Sequence, residues 1–264
     1  MKVTIISLVG THRRLHYFLC NLSFLEIWFT TTNIPKTLTN LMSQSKTISF
    51  LSCLQQMYFI FSLSCTEFLL LAIMAYDHYL AICHLLSYSS IMNSTLSTQL
   101  AIGSWVGGFL IISVPAFLIT RLSFCGPTVI NHFFCDIDSW LELSCTDTRL
   151  SEMVYTTICF IVILDSCPVT LVSYIYIIST ILRILSAQGQ KKAFSTCSAH
   201  LTVVVILYSS AIFLYVEPSK QNSLDMNKIV CVFNTIVTPL LNPFIYTLRN
   251  KEVKDIWRKA FSRI

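Results

Sequence analysis

The sequence predicts an all-α membrane protein that crosses the bilayer several times. Of its 264 residues, 54% are hydrophobic and only 12% are charged, and the mean hydropathy is +0.67. A soluble domain normally carries about twice that share of charged residues. Apolar windows of roughly 18 or more residues, the length that crosses a bilayer, recur along the chain. Nothing in the sequence indicates a separate soluble domain.

Six windows are long and apolar enough to be complete crossings. We predict helices at 17–41, 50–83, 98–120, 151–184, 192–216 and 227–248. Residues 1–10 contain only an apolar stub, which at ~1.5 Å per residue covers a fraction of a ~30 Å hydrocarbon core. The expected architecture is six full spans plus the remnant of a further helix, in one domain over 1–264.

The distribution of Lys and Arg predicts the orientation of these spans. Arg13, Arg14, Lys191 and Lys192 lie in loops on one side, together with the basic C-terminal segment, so we expect that side to be cytosolic. Residues 249–264 are basic and amphipathic, and we expect them to form a short helix on the anionic inner leaflet. The net charge of +5 then reflects membrane topology and not nucleic-acid binding.

This orientation places the 121–150 loop in an oxidising compartment outside the cell. The loop carries Cys125, Cys135 and Cys145, and Cys53 begins a span on the same side. Four cysteines allow three pairings, among which the sequence alone does not choose. A metal site in this loop is disfavoured because the paired ligand spacings of such sites are absent.

Five segments carry a resemblance to a known family: "MAYDHYLAIC", "SFCGPTVINHFFCD", "SYIYIISTIL", "KAFSTCSAHLTVV" and "LNPFIYTLRN". In this order and spacing, the chain resembles a tetrapod-type olfactory (odorant) receptor, which belongs to the rhodopsin-like G-protein-coupled receptors. The resemblance implies a seven-helix bundle at the plasma membrane, here with an incomplete first helix. It also implies an odorant pocket in the outer half and a stimulatory olfactory G protein that raises cyclic AMP. It implies neither enzymatic activity nor a cofactor.

The resemblance also assigns disulfides and a pocket. It pairs Cys53 with Cys135 and Cys125 with Cys145. The matching pocket positions are mostly apolar, with a few hydroxyl groups and no formal charge, which suits a small and mostly apolar volatile. They are Ile60, Phe61, Ser64, Cys65, Ile158, Cys159, Val162, Tyr208, Ala211, Ile212, Tyr215, Val232 and Thr235.

The family's third helix ends in Asp-Arg-Tyr, where the Arg reaches the G protein. Here the residues are Asp77, His78 and Tyr79. Histidine is shorter than arginine and mostly neutral at pH 7, so two hypotheses stand: coupling through neighbouring contacts, or impaired coupling. The resemblance gives further switch roles to Tyr174 and to Asn242, Pro243 and Tyr246 of "NPFIY".

Polar residues inside predicted spans are candidates for a functional core. They include Glu26, Glu67 and His200, with Cys197 one helical turn before His200. One hypothesis is a metal held by Glu67, Cys197 and His200; the favoured alternative is a His–Glu hydrogen bond with a packed thiol, because nothing indicates supporting ligand contacts.

Two departures from the family pattern lead to an alternative function. The segment "RRLHYFLCNLS" is about four residues shorter than the family's, and the chain starts within the first helix. These departures predict a truncated, signalling-impaired receptor retained in the endoplasmic reticulum. A transporter is disfavoured because internal repeats are absent, and an enzyme because clustered catalytic groups are absent.

Overall fold

The computed structural model describes residues 2–42, 47–125, 129–130, 132–216 and 230. The regular secondary structure of the described part is α-helical, apart from one isolated antiparallel bridge between Phe124 and Ser144, and the all-α prediction is confirmed. The helices are α1 (Lys2–Met42), α2 (Phe50–Cys83), α3 (Tyr88–Ile91), α4 (Ser94–Thr120), α5 (Ile137–Glu142), α6 (Arg149–Leu182) and α7 (Ala187–Val216).

Helix α1 differs from the expectation of a stub at 1–10 followed by a separate helix at 17–41. It is continuous from Lys2 to Met42. The intervening residues "THRRLH" contain neither Pro nor Gly, so no strong breaker interrupts the backbone hydrogen bonds there. The basic residues Arg13 and Arg14 therefore lie within a helix and not in a loop.

Three of the described helices, α2, α4 and α6, are long and apolar enough to cross a membrane. Helix α7 contains a shorter apolar segment, His200–Phe213. The helix predicted at 227–248 and the tail at 249–264 lie outside the described residues, apart from residue 230. The short helices α3 and α5 were not predicted.

Helix α4 begins four residues before the predicted start because Asn93 caps it. The Asn93 side chain accepts a hydrogen bond of 2.8 Å from the backbone N–H of Leu96. Such a cap satisfies one of the amide groups that a helix N-terminus leaves without an intrahelical partner. The polar residues at 94–97 therefore extend the helix beyond its apolar stretch.

The chain divides into two compact units. The first contains Met1–Leu15, Met74–Met92 and Thr170–Ile264, and the second contains His16–Ile73 and Asn93–Val169. Helices α1, α2 and α6 contribute residues to both units.

A close approach of α2 and α4 organises the second unit. A Cβ atom added at Gly108 would lie 2.9 Å from the backbone oxygen of Ser62 and would overlap the hydroxyl of Thr66. The Tyr58 hydroxyl donates a 3.2 Å hydrogen bond across the same interface to the backbone oxygen of Phe109. Small residues let helix backbones approach in this way when packing, and not exclusion of water, holds helices together.

An aromatic cluster extends this contact to α1. The Trp28 ring lies 5.6 Å from Phe59 of α2, and 6.0 Å and 5.7 Å from Trp105 and Phe109 of α4. The Trp105 indole N–H donates to the Asn21 side chain at 3.2 Å, so the polar edge of this ring is satisfied.

The 121–150 loop folds around a small hydrophobic core of its own. Trp140 of α5 packs edge-on against Phe50 at 5.0 Å and against Phe124 at 5.3 Å. Disulfides join Cys53 to Cys135 and Cys125 to Cys145, the two pairs that the family resemblance implied. The first bond ties the loop to the start of α2, which makes the loop part of the second unit.

The acidic start of α5 gives this loop a pH-dependent group. Burial and the nearby carboxylates of Asp138 and Glu142 raise the pKa of Asp136 from its ordinary value to about 7, although the backbone amides of Ile137 and Asp138 act in the opposite direction. Since the folded loop holds this proton more tightly than an unfolded chain does, ionisation of Asp136 opposes folding.

We expect Gly108→Ala to destabilise the protein because the added methyl group meets backbone atoms of α2. Overpacking of this kind typically costs 1–3 kcal/mol, or about 2–4 °C in melting temperature for each kcal/mol. Thermal unfolding of the purified protein in detergent measures the effect. Gly103→Ala is the matched control, since a Cβ there meets nothing within 4 Å. Equal melting temperatures for the two variants would contradict the proposed close approach.

The raised pKa of Asp136 predicts that the loop loses stability as the pH rises from about 4 to 7. Over this range the unfolded chain releases the Asp136 proton while the folded loop still holds it, so the effect is complete above about pH 7. Asp136→Asn should remove a pH dependence on the order of a few kcal/mol, at about 1.4 kcal/mol for each pKa unit. Amide hydrogen exchange in residues 132–145 at pH 5 and pH 8 measures it. Asp147→Asn, at a carboxylate that is 65% exposed, should leave the pH dependence intact.

Candidate functional site

The Asp77–His78–Tyr79 segment lies near the end of α2, within the first unit. Asp77 is 1% exposed, and its carboxylate accepts a 2.8 Å hydrogen bond from the hydroxyl of Tyr88 in α3. A hydrogen bond to a buried carboxylate is among the stronger ones in proteins. Asp77 is therefore held by a tyrosine that follows α2 in the chain.

The His78 side chain is directed along its own helix. Its Nδ1–H donates a 2.6 Å hydrogen bond to the backbone oxygen of Met74, one turn earlier. A carbonyl oxygen only accepts, so this contact requires a proton on Nδ1. His78 is 5% exposed, so its ring is packed inside the unit.

The ring of His78 stacks on the ring of His200 from α7, with centroids 5.1 Å apart and planes inclined by 16°. The hydroxyl of Tyr174 in α6 lies 2.6 Å from Nδ1 of His200. The Tyr174 and His200 rings are also nearly parallel, at 5.9 Å and 17°. Three helices thus contribute to one stacked group, His78–His200–Tyr174, which we call the histidine stack.

Apolar side chains enclose the histidine stack. Ala75, Tyr174, Ile177, Ile181 and Cys197 form a buried cluster, with Tyr79 packed against it. The Tyr79 hydroxyl reaches Nε2 of His84 at 2.9 Å, beyond the end of α2.

The predicted pocket residues of the second unit pack together. Cys65 and Val162 share a buried cluster, and Phe61 and Ile158 pack against it. The Phe61 ring meets the Tyr155 ring edge-on at 5.7 Å. Ile60 is buried, Ser64 is half-buried, and Cys159 packs against the core that includes the Cys53–Cys135 disulfide.

The predicted pocket residues of the first unit are described in part. Tyr208 and Ala211 are buried, whereas Ile212 is 48% exposed. The Tyr208 hydroxyl lies 3.4 Å from the hydroxyl of Thr170. The Tyr215 backbone belongs to α7, but its side chain is outside the description. Val232, Thr235, Asn242, Pro243 and Tyr246 all lie outside the described residues.

The two acidic residues predicted to lie inside spans are both buried: Glu26 is 4% exposed and Glu67 is 5% exposed. Within the described ranges, no group of three or more His, Cys, Asp or Glu side chains is placed to hold a metal ion. The hypothesis of a metal at Glu67, Cys197 and His200 therefore receives no support. His200 instead contacts Tyr174 and His78.

Tyr88 is the functional candidate that sequence reasoning missed. It is fully buried, at 0% exposure, although it follows a span in a short polar segment, "HLLSYSSIMNS". The available sequence signal was one aromatic residue in that segment, Tyr88, eleven positions after Asp77. Such a signal does not distinguish a buried partner from an ordinary interfacial tyrosine.

Comparisons with known proteins match this arrangement to one family. A family model described as "Olfactory receptor" matches residues 2–263. Olfactory receptor 287 of Rattus norvegicus is 61% identical over 263 residues, which cover 98% of this chain and 85% of the rat protein. Olfactory receptor 6F1 of Homo sapiens is 62% identical over 264 residues, which cover 98% of this chain and 86% of the human protein. This chain, with its described α-helices and its disulfide-bonded loop, belongs to the olfactory receptor family, whose fold is a seven-helix membrane bundle.

Proposed function

We propose that the protein is an odorant receptor of the plasma membrane. It binds a small, mostly apolar volatile in the outer half of the helix bundle and activates a stimulatory olfactory G protein that raises cyclic AMP. The observation that carries this proposal is the family match over residues 2–263, with relatives that are olfactory receptors along almost the whole chain.

The packing of α2 and α6 supports the ligand class. Phe61, Cys65, Ile158 and Val162 lie in or against one apolar cluster, and their side chains carry no formal charge. A ligand that separates these side chains gains affinity from apolar burial, at about 25 cal/mol per Å². A charged head group would lose its hydration there without a partner.

The proposed orientation places the histidine stack and the α3 helix at the cytosolic side. It rests on the distribution of basic residues: Lys191 lies near the start of α7, and Arg183 directly follows α6. A G protein that approaches this side meets the end of α2, where Tyr79 is half-buried and Asp77 and His78 are buried.

A second candidate function is a receptor that couples weakly, and the conformation of His78 favours it. His78 donates to its own helix and stacks on His200. An arginine in its place would offer five donors and a permanent charge on a longer side chain. In this view, the chain binds an odorant and transmits only part of the signal.

A cyclic AMP reporter assay with an odorant panel tests both functions. The unmodified chain, His78→Arg and Gln99→Arg are expressed in the same cells, with surface labelling in parallel. We expect at least one small uncharged volatile to raise cyclic AMP. We expect His78→Arg to increase the maximal cyclic AMP response about tenfold, because the substitution restores a long, permanently charged side chain at this position.

Gln99→Arg is the matched control because it adds a guanidinium at an exposed residue of α4, in the second unit and outside the histidine stack. It should leave the response unchanged. A full response from the unmodified chain would reject weak coupling. Silence of all three variants at normal surface levels, across a panel that activates related receptors, would count against the proposed function.

Tyr88→Phe tests the hydrogen bond from the Tyr88 hydroxyl to Asp77 in the protein without ligand. The substitution removes one hydrogen bond to a buried carboxylate, and such bonds contribute roughly 1.5–3 kcal/mol. We expect the apparent melting temperature to fall by about 3 °C or more. Tyr76→Phe is the control: Tyr76 adjoins Asp77, is 37% exposed, and makes a ring contact with Tyr79. An equal response of the two variants would show that the Asp77–Tyr88 bond does not stabilise the resting protein.

A further inference from the structure

A cavity lined by none of the residues predicted for the odorant pocket lies between α1 and α2, near the segment that connects them. Its volume is about 390 Å³, within the range of small-molecule sites. Lys36 and Thr32 line it from α1, and Ser52, Gln56 and Phe59 line it from α2. All its lining residues belong to the second unit, and none of the thirteen pocket positions predicted from the sequence lines it. We call it the α1–α2 cavity.

Among the described residues, the lining of the α1–α2 cavity includes one cationic side chain and no anionic one. The Lys36 ammonium donates a 2.7 Å hydrogen bond to the backbone oxygen of Thr47. An ammonium group has three N–H donors, and Lys36 forms no ion pair within the part of the chain that the structure describes. The described residues that line the cavity include no Asp or Glu. The cavity therefore has a net positive charge.

Two further residues that line the cavity, Gln56 and Ser52, carry hydrogen-bond donors. The Gln56 side chain is 7% exposed. Its Oε1 accepts a 3.3 Å hydrogen bond from the backbone N–H of Cys135, and its amide nitrogen, Nε2, remains as a donor. That nitrogen is buried and has no hydrogen-bond partner among the described residues. The Ser52 hydroxyl oxygen accepts from Ser49 at 2.7 Å, which leaves its own O–H to donate. Ammonium, amide and hydroxyl donors together favour a ligand that only accepts hydrogen bonds.

The walls of the α1–α2 cavity combine polar groups with the apolar side chains of Ile48 and Phe59. Ser52, Gln56 and Phe59 lie on one face of α2 at helical spacing, and Thr32 and Lys36 lie one turn apart on α1. Lys36 and Ser52 are nearer the connecting segment, and Phe59 is the more distant residue on α2. The Phe59 ring is fixed by Trp28 at 5.6 Å and by Phe109 at 6.2 Å. The cavity thus matches a molecule with a charged head and an apolar body.

We propose that the α1–α2 cavity binds an anionic amphiphile, whose carboxylate or phosphate head group accepts hydrogen bonds from Lys36 and Ser52 and whose apolar part packs against Phe59. Two sources provide this chemistry: an anionic phospholipid of the surrounding membrane, and a soluble short-chain carboxylate. Binding at this site involves none of the residues assigned to the odorant pocket or to the histidine stack, so it goes beyond the proposed receptor function.

Direct binding measurements on the full chain in lipid nanodiscs test the proposal. In the first arm, nanodiscs of phosphatidylcholine with a small fraction of phosphatidylglycerol are opened in neutral detergent, and native mass spectrometry counts the phosphatidylglycerol that stays bound. In the second arm, saturation-transfer NMR in pure phosphatidylcholine nanodiscs compares hexanoate with hexanamide, which differ in charge.

We expect an anion to bind in at least one arm, and Lys36→Gln to weaken that binding by about tenfold or more. Lys36→Arg keeps the charge and should retain most of the binding. Ser52→Glu introduces a repelling carboxylate at an exposed position and should abolish binding without disturbing the core. Arg121→Gln is the matched control, because this exposed arginine lies over the Phe117 ring, away from the cavity.

The two arms identify the source of the ligand. Lys36-dependent retention of phosphatidylglycerol assigns a lipid, and Lys36-dependent binding of hexanoate over hexanamide assigns a soluble carboxylate. The proposal is overturned if no anion binds in either arm, or if Lys36→Gln and Ser52→Glu bind as strongly as the unmodified chain. Because the measurement is direct binding and not cyclic AMP, its failure leaves the receptor proposal untouched.

Discussion

In the hydrocarbon core of a membrane every backbone amide group needs a hydrogen-bond partner, and this requirement determines the helical fold of the protein. A peptide group without a partner costs several kcal/mol in lipid, so a segment that crosses the membrane must pair its amides internally. The helices are correspondingly long, with 34 residues in α2 and 34 in α6. Many hydroxyl groups follow the same constraint: Thr66 and Ser166 donate to backbone oxygens four residues earlier in their own helices. The helices can then approach one another without competing polar groups between them.

Polar side chains that cannot satisfy themselves on their own helix mark the regions where helices are joined. Tyr88 donates to the buried Asp77, and the hydroxyl of Tyr174 forms a hydrogen bond with Nδ1 of His200. With the His78–His200 stack, these contacts join α2 to α3 and to α7, and α7 to α6, within the first unit. His78 stacks on His200 and bonds to its own helix. The consequence is a compact, buried group of polar rings in the first unit.

Covalent and polar contacts organise the opposite end of α2 in the second unit. The Cys53–Cys135 disulfide anchors the loop core around Trp140, and Gln56 adds a hydrogen bond to the backbone at Cys135. The same Gln56 lines the α1–α2 cavity beside Lys36. An anion in this cavity would therefore contact the residue that also holds the loop. The proposed anion site and the stability of the loop are linked through one side chain.

The sequence alone determined the helical membrane class and the family, because both depend on features that are local in the chain. Long apolar windows specify spans, and the five short segments specify the family whatever their packing. Sequence reasoning did not find the continuity of α1, since a basic segment without Gly or Pro is compatible with a loop or a helix. Tyr88, the histidine stack and the α1–α2 cavity were decided only by tertiary structure. Each depends on contacts between residues of different helices. The residue pattern within one helix does not indicate which side chains of another helix lie opposite it.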